Sequence, residues 1–272
     1  MIETLLQLKE ALTKLTLLLI GLSSSLVPVS QMSAGDLVLG GISQPIQIDS
    51  TPVISKLDKF EVPFSEKVPQ EGESKVEMLK DYPKVIFSRW GGEVQMGVEY
   101  KKVTANAQKL QSSNEVKWGV GNEVVYAYKI DDENFEIEIE LKAKPNHNDF
   151  CYEITSNQNL NWYKQFPLWQ EQGLLAPTAT CTDTDCDTDG DGEFDIYRST
   201  NVVNSFAVYY GKSNHKIGSL NYATGKAFHR YRIQATDADG NQVWGDTTYD
   251  SGELCDIIPI DWLETAKYPV KL

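Results

Sequence analysis

The sequence predicts an all-β fold: an antiparallel β-sandwich, as one large or two fused sandwiches, preceded by an N-terminal α-helix. Three observations carry that expectation. Apolar residues recur with period two along several runs, most clearly Phe135, Ile137, Ile139 and Leu141 against Glu136, Glu138 and Glu140. Turn formers punctuate the runs, and after residue 30 the one stretch longer than a turn with helical character is 261–267. With 272 residues and 41% hydrophobic content, the chain is large and apolar enough for a sizeable core.

Residues 1–29 are expected to form an oligomerisation or docking helix. Met1, Leu5, Leu8, Leu12, Leu15, Leu19 and Leu22 alternate steps of four and three, the a/d spacing of a coiled-coil seam. Leu6, Leu17, Leu18 and Ile20 widen the apolar surface, so a bundle or docking into a larger assembly fits better than a two-helix seam. A secretory signal peptide and a peripheral membrane helix are the competing readings. Glu3 and Glu10 balance Lys9 and Lys14 where a signal peptide would be basic, which favours an uncleaved helix. Lys14 and the Ser23-to-Pro28 break leave too short a run for a transmembrane span.

Residues 30–73, rich in Ser, Gly and Pro, read as an extended linker and first strands, and 74–272 as the β-sandwich body. Val94, Met96, Val98 and Tyr100 mark one strand, and Val124, Tyr126 and Tyr128 another. The Phe135 to Leu141 run is expected to have one face in the core and one wet. Its glutamates are therefore read as a solvated face rather than the paired carboxylates of a glycosidase. Further strand-like runs span 202–210, 227–235 and 254–260, and DADGN at 237–241 is a hairpin signal with Gly240 at positive φ.

Within the body, residues 181–198 look like an inserted calcium loop. Asp187, Asp189 and Asp191 stand at positions 1, 3 and 5 of an oxygen-ligand loop, Glu193 at 7 would offer its main-chain carbonyl, and Asp195 at 9 would bind directly or through water. Gly192 at 6 permits the sharp turn, and Phe194 at 8 is placed to anchor the loop to a core. Position 12, normally a bidentate carboxylate, is Arg198, so the missing ligand would come from Asp183, Asp185, another segment or water. With no helical pattern before it, the loop resembles the DxDxDG loops of extracellular calcium modules rather than an EF-hand. An acidic turn without an ion is the alternative. Cys181 and Cys186 bracket the first aspartates closely enough for a disulfide, whereas Cys151 and Cys255 lie in strand-like segments and read as readily as small buried apolar residues. The spacing of the four cysteines does not suit zinc.

Charge and chemistry-bearing residues bound the remaining functions. The excess of 39 acidic over 25 basic residues lies wholly on the body, because the first thirty residues are neutral. That surface repels phosphate backbones and anionic membranes, so nucleic acid is not an expected partner. His147, His215 and His229 accompany no Ser or Cys nucleophile motif and read as structural or exposed. Trp162, Tyr163, Phe166 and Trp169 form an aromatic cluster that reads first as core packing at a domain seam and second as a surface for stacking on sugar rings.

The phrases FEIEIELKAKPNHNDFCYEI (135–154), QFPLW (165–169), NVVNSFAVYY (201–210), NYATGKAFHRYRIQATDADGNQVWG (221–245) and IPIDWLETAKYPV (258–270) resemble a β-rich family encoded by phages and candidate-phylum bacteria. The resemblance runs from Lys84 to the C-terminus, and its most specific part is 221–245. Members of that family are mostly uncharacterised. The resemblance implies a virion or cell-surface structural role and supplies no catalytic residues. The Asp-rich loop departs from the family pattern, and the YPV phrase, which in similar proteins often leads into further modules, here comes just before Leu272. The expectation is a non-enzymatic structural component of a virion or extracellular assembly, self-associating through its N-terminal helix and stabilised by Ca2+. A calcium-dependent surface adhesin or carbohydrate-binding module is the alternative, with a glycan as partner, and a glycan hydrolase ranks third.

Overall fold

The computed structural model describes residues 37–39, 48–64, 72–110, 114–175, 178–210, 215–217, 220–222 and 225–272. The expected helix at 1–29 lies outside them, as does most of the first half of the expected linker. In chain order the strands are β1 (Leu37–Leu39), β2 (Ile54–Ser55), β3 (Lys59–Phe64), β4 (Ser74–Leu79), β5 (Lys84–Arg89), β6 (Val94–Tyr100), β7 (Gln108–Lys109), β8 (Val116–Trp118), β9 (Glu123–Lys129), β10 (Asn134–Leu141), β11 (Asp149–Ser156) and β12 (Leu160–Lys164). A helix, α1 (Leu168–Leu175), and the short strands β13 (Thr180–Cys181), β14 (Asp185–Asp187) and β15 (Ile196–Tyr197) follow. The chain continues through β16 (Phe206–Tyr210), β17 (His215–Ile217), β18 (Leu220–Tyr222), β19 (Lys226–Arg230), β20 (Gln234–Thr236), β21 (Gln242–Trp244), β22 (Asp246–Asp250), β23 (Glu253–Ile257), α2 (Ile260–Thr265) and β24 (Val270–Lys271).

These strands build two large sheets. One has the order β2-β3-β4-β5-β6-β11-β23-β22. The other is organised around β10, whose one edge pairs with β9 along its length. The opposite edge is shared: β1 pairs at Asn134 and Phe135, and β24 at Glu140 and Leu141. The β1 branch continues through β19 and β16 to β12, and the β24 branch through β20 to β21. β1 runs parallel to both its neighbours, whereas the other described pairs are antiparallel.

The inner faces of the two sheets meet ring to ring. Phe87 of β5 lies edge-on to Phe135 of β10 at 5.6 Å and to Phe228 of β19 at 6.3 Å, and all three are fully buried. Each such side chain contributes about 1.5–3 kcal/mol through burial. Two polar ties cross the same interface. The Arg89 guanidinium donates to the Ala227 carbonyl at 2.9 Å, and Arg230 ion-pairs with Asp256 at 2.5 Å while Thr247 donates to the other Asp256 oxygen at 2.8 Å. At one side the edge strands close on each other: Trp162 of β12 stacks on Tyr249 of β22 at 4.0 Å, and the Lys164 ammonium meets Asp246 at 3.0 Å. That contact shields two strand edges that would otherwise template further pairing.

Several expectations require correction. The wet face assigned to β10 is buried at Glu136 and Glu138, because Tyr128 of β9 donates to Glu138 at 3.0 Å and Lys271 of β24 reaches it at 3.0 Å. Cys151 and Cys255 are joined in a disulfide, since β11 and β23 pair in a register that sets them directly opposite. The run 202–210 is a strand only from Phe206; before it the chain turns, with Asn204 at φ 63°. The run 227–235 is broken at Tyr231–Ile233, where the Arg232 amide leaves the sheet to donate to the Asn201 carbonyl. The hairpin at 237–241 forms as expected, with Gly240 at φ 83° and the Asp237 carboxylate accepting from the Asp239 and Asn241 amides. Hydrogen bonding by Asn241 holds that carboxyl below its usual range. Among the described residues no helix is long and apolar enough to cross a membrane.

Candidate metal loop and its aromatic surround

Residues 166–198 form a small unit of their own. Pro167 starts α1, where the Gln170 amide bonds the Pro167 carbonyl, and Leu168 packs with Ala179 and Cys186 in a separate hydrophobic cluster. The Leu168 and Trp169 amides donate to the Asp183 and Thr182 carbonyls, which fixes the helix against β13 and β14. The register that pairs Cys181 with Cys186 also joins them in a disulfide five residues apart. That closure is too short to constrain much of an unfolded chain. The Cys151–Cys255 bridge spans 104 residues, and on loop-entropy grounds it contributes about 4–5 kcal/mol.

The acidic loop leaves β14 at Asp187, the one buried aspartate of the set. Its carboxylate accepts from the Gly190 amide at 2.6 Å and the Gly192 amide at 3.0 Å. Gly190 and Gly192 sit at φ 83° and 90°, a region where other residues are strained. Asp189 accepts from the Asp191 amide at 3.2 Å, and Asp191 from the Glu193 amide at 2.8 Å. Asp195 accepts from the Thr188 hydroxyl at 2.5 Å and the Thr188 amide at 2.8 Å, and the hydroxyl bond is the main reason its carboxyl stays below the usual range.

Asp187, Asp189 and Asp195 offer carboxylate oxygens that all lie within 4.8 Å of one another. Two ligands on opposite sides of a calcium ion at 2.3–2.6 Å would be roughly 5 Å apart, so these three fit around one ion. Asp191 and Glu193 stand outside that group with exposed side chains. Glu193 was expected to contribute only its carbonyl.

Arg198, at position 12, is buried and turned away from the loop. Its guanidinium forks onto Glu171 of α1 at 3.1 and 3.0 Å and donates to the Phe166 carbonyl. It therefore clamps the helix to β15 instead of supplying a ligand. Phe194 does not anchor the loop to a core: its side chain is 63% exposed. The aromatic cluster also divides. Trp162 packs against the main core, whereas Tyr163, Phe166 and Trp169 are exposed, so seam packing holds for Trp162 alone.

The histidines are engaged elsewhere. His147 Nε2 lies 2.8 Å from Glu123, whose other oxygen accepts from the Tyr100 hydroxyl at 2.5 Å, and the Lys102 ammonium lies 2.9 Å from His147 Nδ1. His229 is buried with Nε2 2.9 Å from the Ser205 hydroxyl, itself fully buried. Burial, with Lys226 and Arg230 adding to it, lowers the His229 pKa to about 3. The side chain of His215 lies outside the described residues. Comparison of the chain with protein-family models, curated proteins and solved structures finds no match.

Proposed function

We propose that this chain is a non-enzymatic structural component of a virion or extracellular assembly: a β-sandwich body with a Ca2+-binding loop at 187–195, self-associating through residues 1–29. The observation that carries the calcium reading is the convergence of oxygens from Asp187, Asp189 and Asp195 within the span of one ion. Completing the shell with the Glu193 carbonyl, Asp191 and water requires the exposed Asp191 side chain to turn inward. Two disulfides suit an oxidising exterior. A structural role is supported by the hydrogen bonds that tie His147 to Glu123 and His229 to the buried Ser205 hydroxyl.

Extracellular loops of this class bind at roughly 0.1–1 mM. At about 10 mM calcium, linkage then adds roughly 1.4–2.7 kcal/mol to stability. The melting temperature should rise on moving from EDTA to calcium, and Asp187→Ala with Asp189→Ala should remove the rise. Equal melting temperatures in the two solutions would refute the reading. Light scattering tests the assembly half: the full chain should be oligomeric and a chain lacking residues 1–30 monomeric.

A further inference from the structure

Exposed aromatic side chains are concentrated in one stretch of the chain. Of the seven exposed aromatic side chains among the described residues, six fall between 163 and 209: Tyr163, Phe166, Trp169, Phe194, Tyr197 and Tyr209. Tyr82 is the exception. Elsewhere the outward strand faces are covered by ion pairs, such as Lys59 with Glu77, Lys75 with Glu61 and Lys101 with Glu99. The large apolar side chains exposed elsewhere, such as Leu57 and Val120, are aliphatic and scattered along the chain, whereas this grouping of aromatic residues has the character of an interaction site.

These rings stand on a rigid frame. Tyr163 and Tyr209 lie on paired strands and meet edge-on at 5.5 Å. Phe166 and Tyr197 are tied through Arg198, which follows Tyr197 and donates to the Phe166 carbonyl. Trp169 and Tyr197 are both anchored on the 182–185 turn, Trp169 through its amide on Thr182 and Tyr197 through its pairing with Asp185. Such a surface is organised before any partner arrives, which lowers the entropic cost of binding.

The chemistry around the rings selects the partner. Residues 165–197 hold seven acidic residues from Asp183 to Asp195 and no Lys or Arg, while Glu171 is already paired with Arg198. Phosphate, sulfate and uronate ligands are repelled by that field. Asn161, Gln165 and Gln170, in or next to the same stretch, carry amide side chains, and among the described residues the one exposed large aliphatic side chain there is Leu174. Carboxylates and amide oxygens accept hydrogen bonds, so the face complements a ligand rich in neutral hydroxyl donors. Aromatic rings stack on the apolar C–H face of a sugar.

We propose that the face carrying Tyr163, Phe166, Trp169 and Tyr197 binds a neutral glycan. The inference does not rest on the calcium reading. It is tested by screening the full chain against neutral oligosaccharides (β-glucan, chitin and mannan fragments) beside sulfated and uronate-containing ones, and against a polylysine peptide. Binding should be confined to neutral glycans and persist in high salt. Trp169→Ala and Phe166→Ala should each weaken it about tenfold or more, while Tyr82→Ala leaves it unchanged. These rings are exposed, so the variants should melt with the parent; should Trp169→Ala unfold the α1 unit, Tyr163→Ala on β12 reads the same loss. Absence of neutral-glycan binding would overturn the proposal. So would binding only to polylysine or to anionic glycans with collapse in salt, which would mark a charged macromolecular partner, or ring variants that bind as well as the parent.

Discussion

Lowering the pH should destabilise the protein through His229 before Glu61 begins to titrate. His229 sits on β19 with its ring buried, Nε2 against Ser205 and Nδ1 without a hydrogen-bond partner. Burial and the nearby positive charges of Lys226 and Arg230 lower its pKa to about 3, against 6.5 for the ordinary side chain. The unfolded chain therefore takes up a proton between those values and the folded chain does not. The stabilising contribution is complete above pH 6.5 and is lost as pH falls towards 3. The loss amounts to about 2 kcal/mol by pH 5 and about 4 kcal/mol by pH 3. Glu61 behaves differently: the hydrogen bond from Lys56, with Lys75 assisting and burial opposing, holds its carboxyl at about 2. Its contribution is lost only as pH falls from 4.5 towards 2, so of these two groups only His229 acts between pH 6.5 and 5; burial raises the Asp256 carboxyl, and comparison with His229→Gln cancels what it adds in both proteins. Urea denaturation at pH 7.5 and pH 5, with disulfides intact, should show the wild-type chain losing about 2 kcal/mol more than His229→Gln. Parallel losses in the two proteins would refute the reasoning, as would an NMR titration in which the folded His229 ring protonates near its ordinary value.

Three further substitutions probe the core. Asp256→Ala removes the carboxylate of a buried ion pair and leaves the Arg230 charge with the Tyr231 carbonyl and the more distant Glu136, so it should cost about 3–5 kcal/mol by denaturant titration; a loss under 1 kcal/mol would mean that water reaches the guanidinium. Ile139→Ala should cost about 2–5 kcal/mol because Ile139 is fully buried between the sheets. Glu138→Ala should cost about 1–3 kcal/mol by stranding the Tyr128 hydroxyl, and a neutral result there would place Glu138 on a hydrated surface after all.

The parts of this molecule legible in the sequence are those whose causes are local. Alternation along Phe135 to Leu141 marks a strand, Asp237 to Asn241 a hairpin, and the spacing of Cys181 and Cys186 admits a bridge across a tight turn. The parts that escaped depend on partners far along the chain. Glu138 is buried because Lys271, 133 residues away, and Tyr128 on the adjacent strand satisfy it. Cys151 meets Cys255 through a strand register that neither neighbourhood encodes. The helix at 168–175 carries Gly173 and only two turns, so its propensity is weak; it is held by Arg198, whose partner Glu171 lies 27 residues upstream. Exposure of Phe166, Trp169 and Phe194 was equally illegible, since a run of large apolar side chains reads as core until the covering elements are known.

Arg198 bears on what an ion would do at the acidic loop. In a loop of this kind the twelfth position normally supplies two of the oxygens that close the shell, and without the metal such a loop has little to hold it. Here the twelfth residue ties β15 to α1, the disulfide closes β13 on β14, and the Asp187 carboxylate accepts two glycine amides directly. The frame is therefore assembled by the chain itself. A cation would displace part of the amide hydrogen bonding to Asp187, so its net contribution is smaller than the full coordination energy. With the bidentate ligand missing, any calcium affinity would fall at the weak end of the range, where binding would track extracellular calcium and not cytosolic levels. On the proposed reading the ion would be a stabiliser added to a folded unit, and the exposed rings of that unit would keep their geometry with or without it.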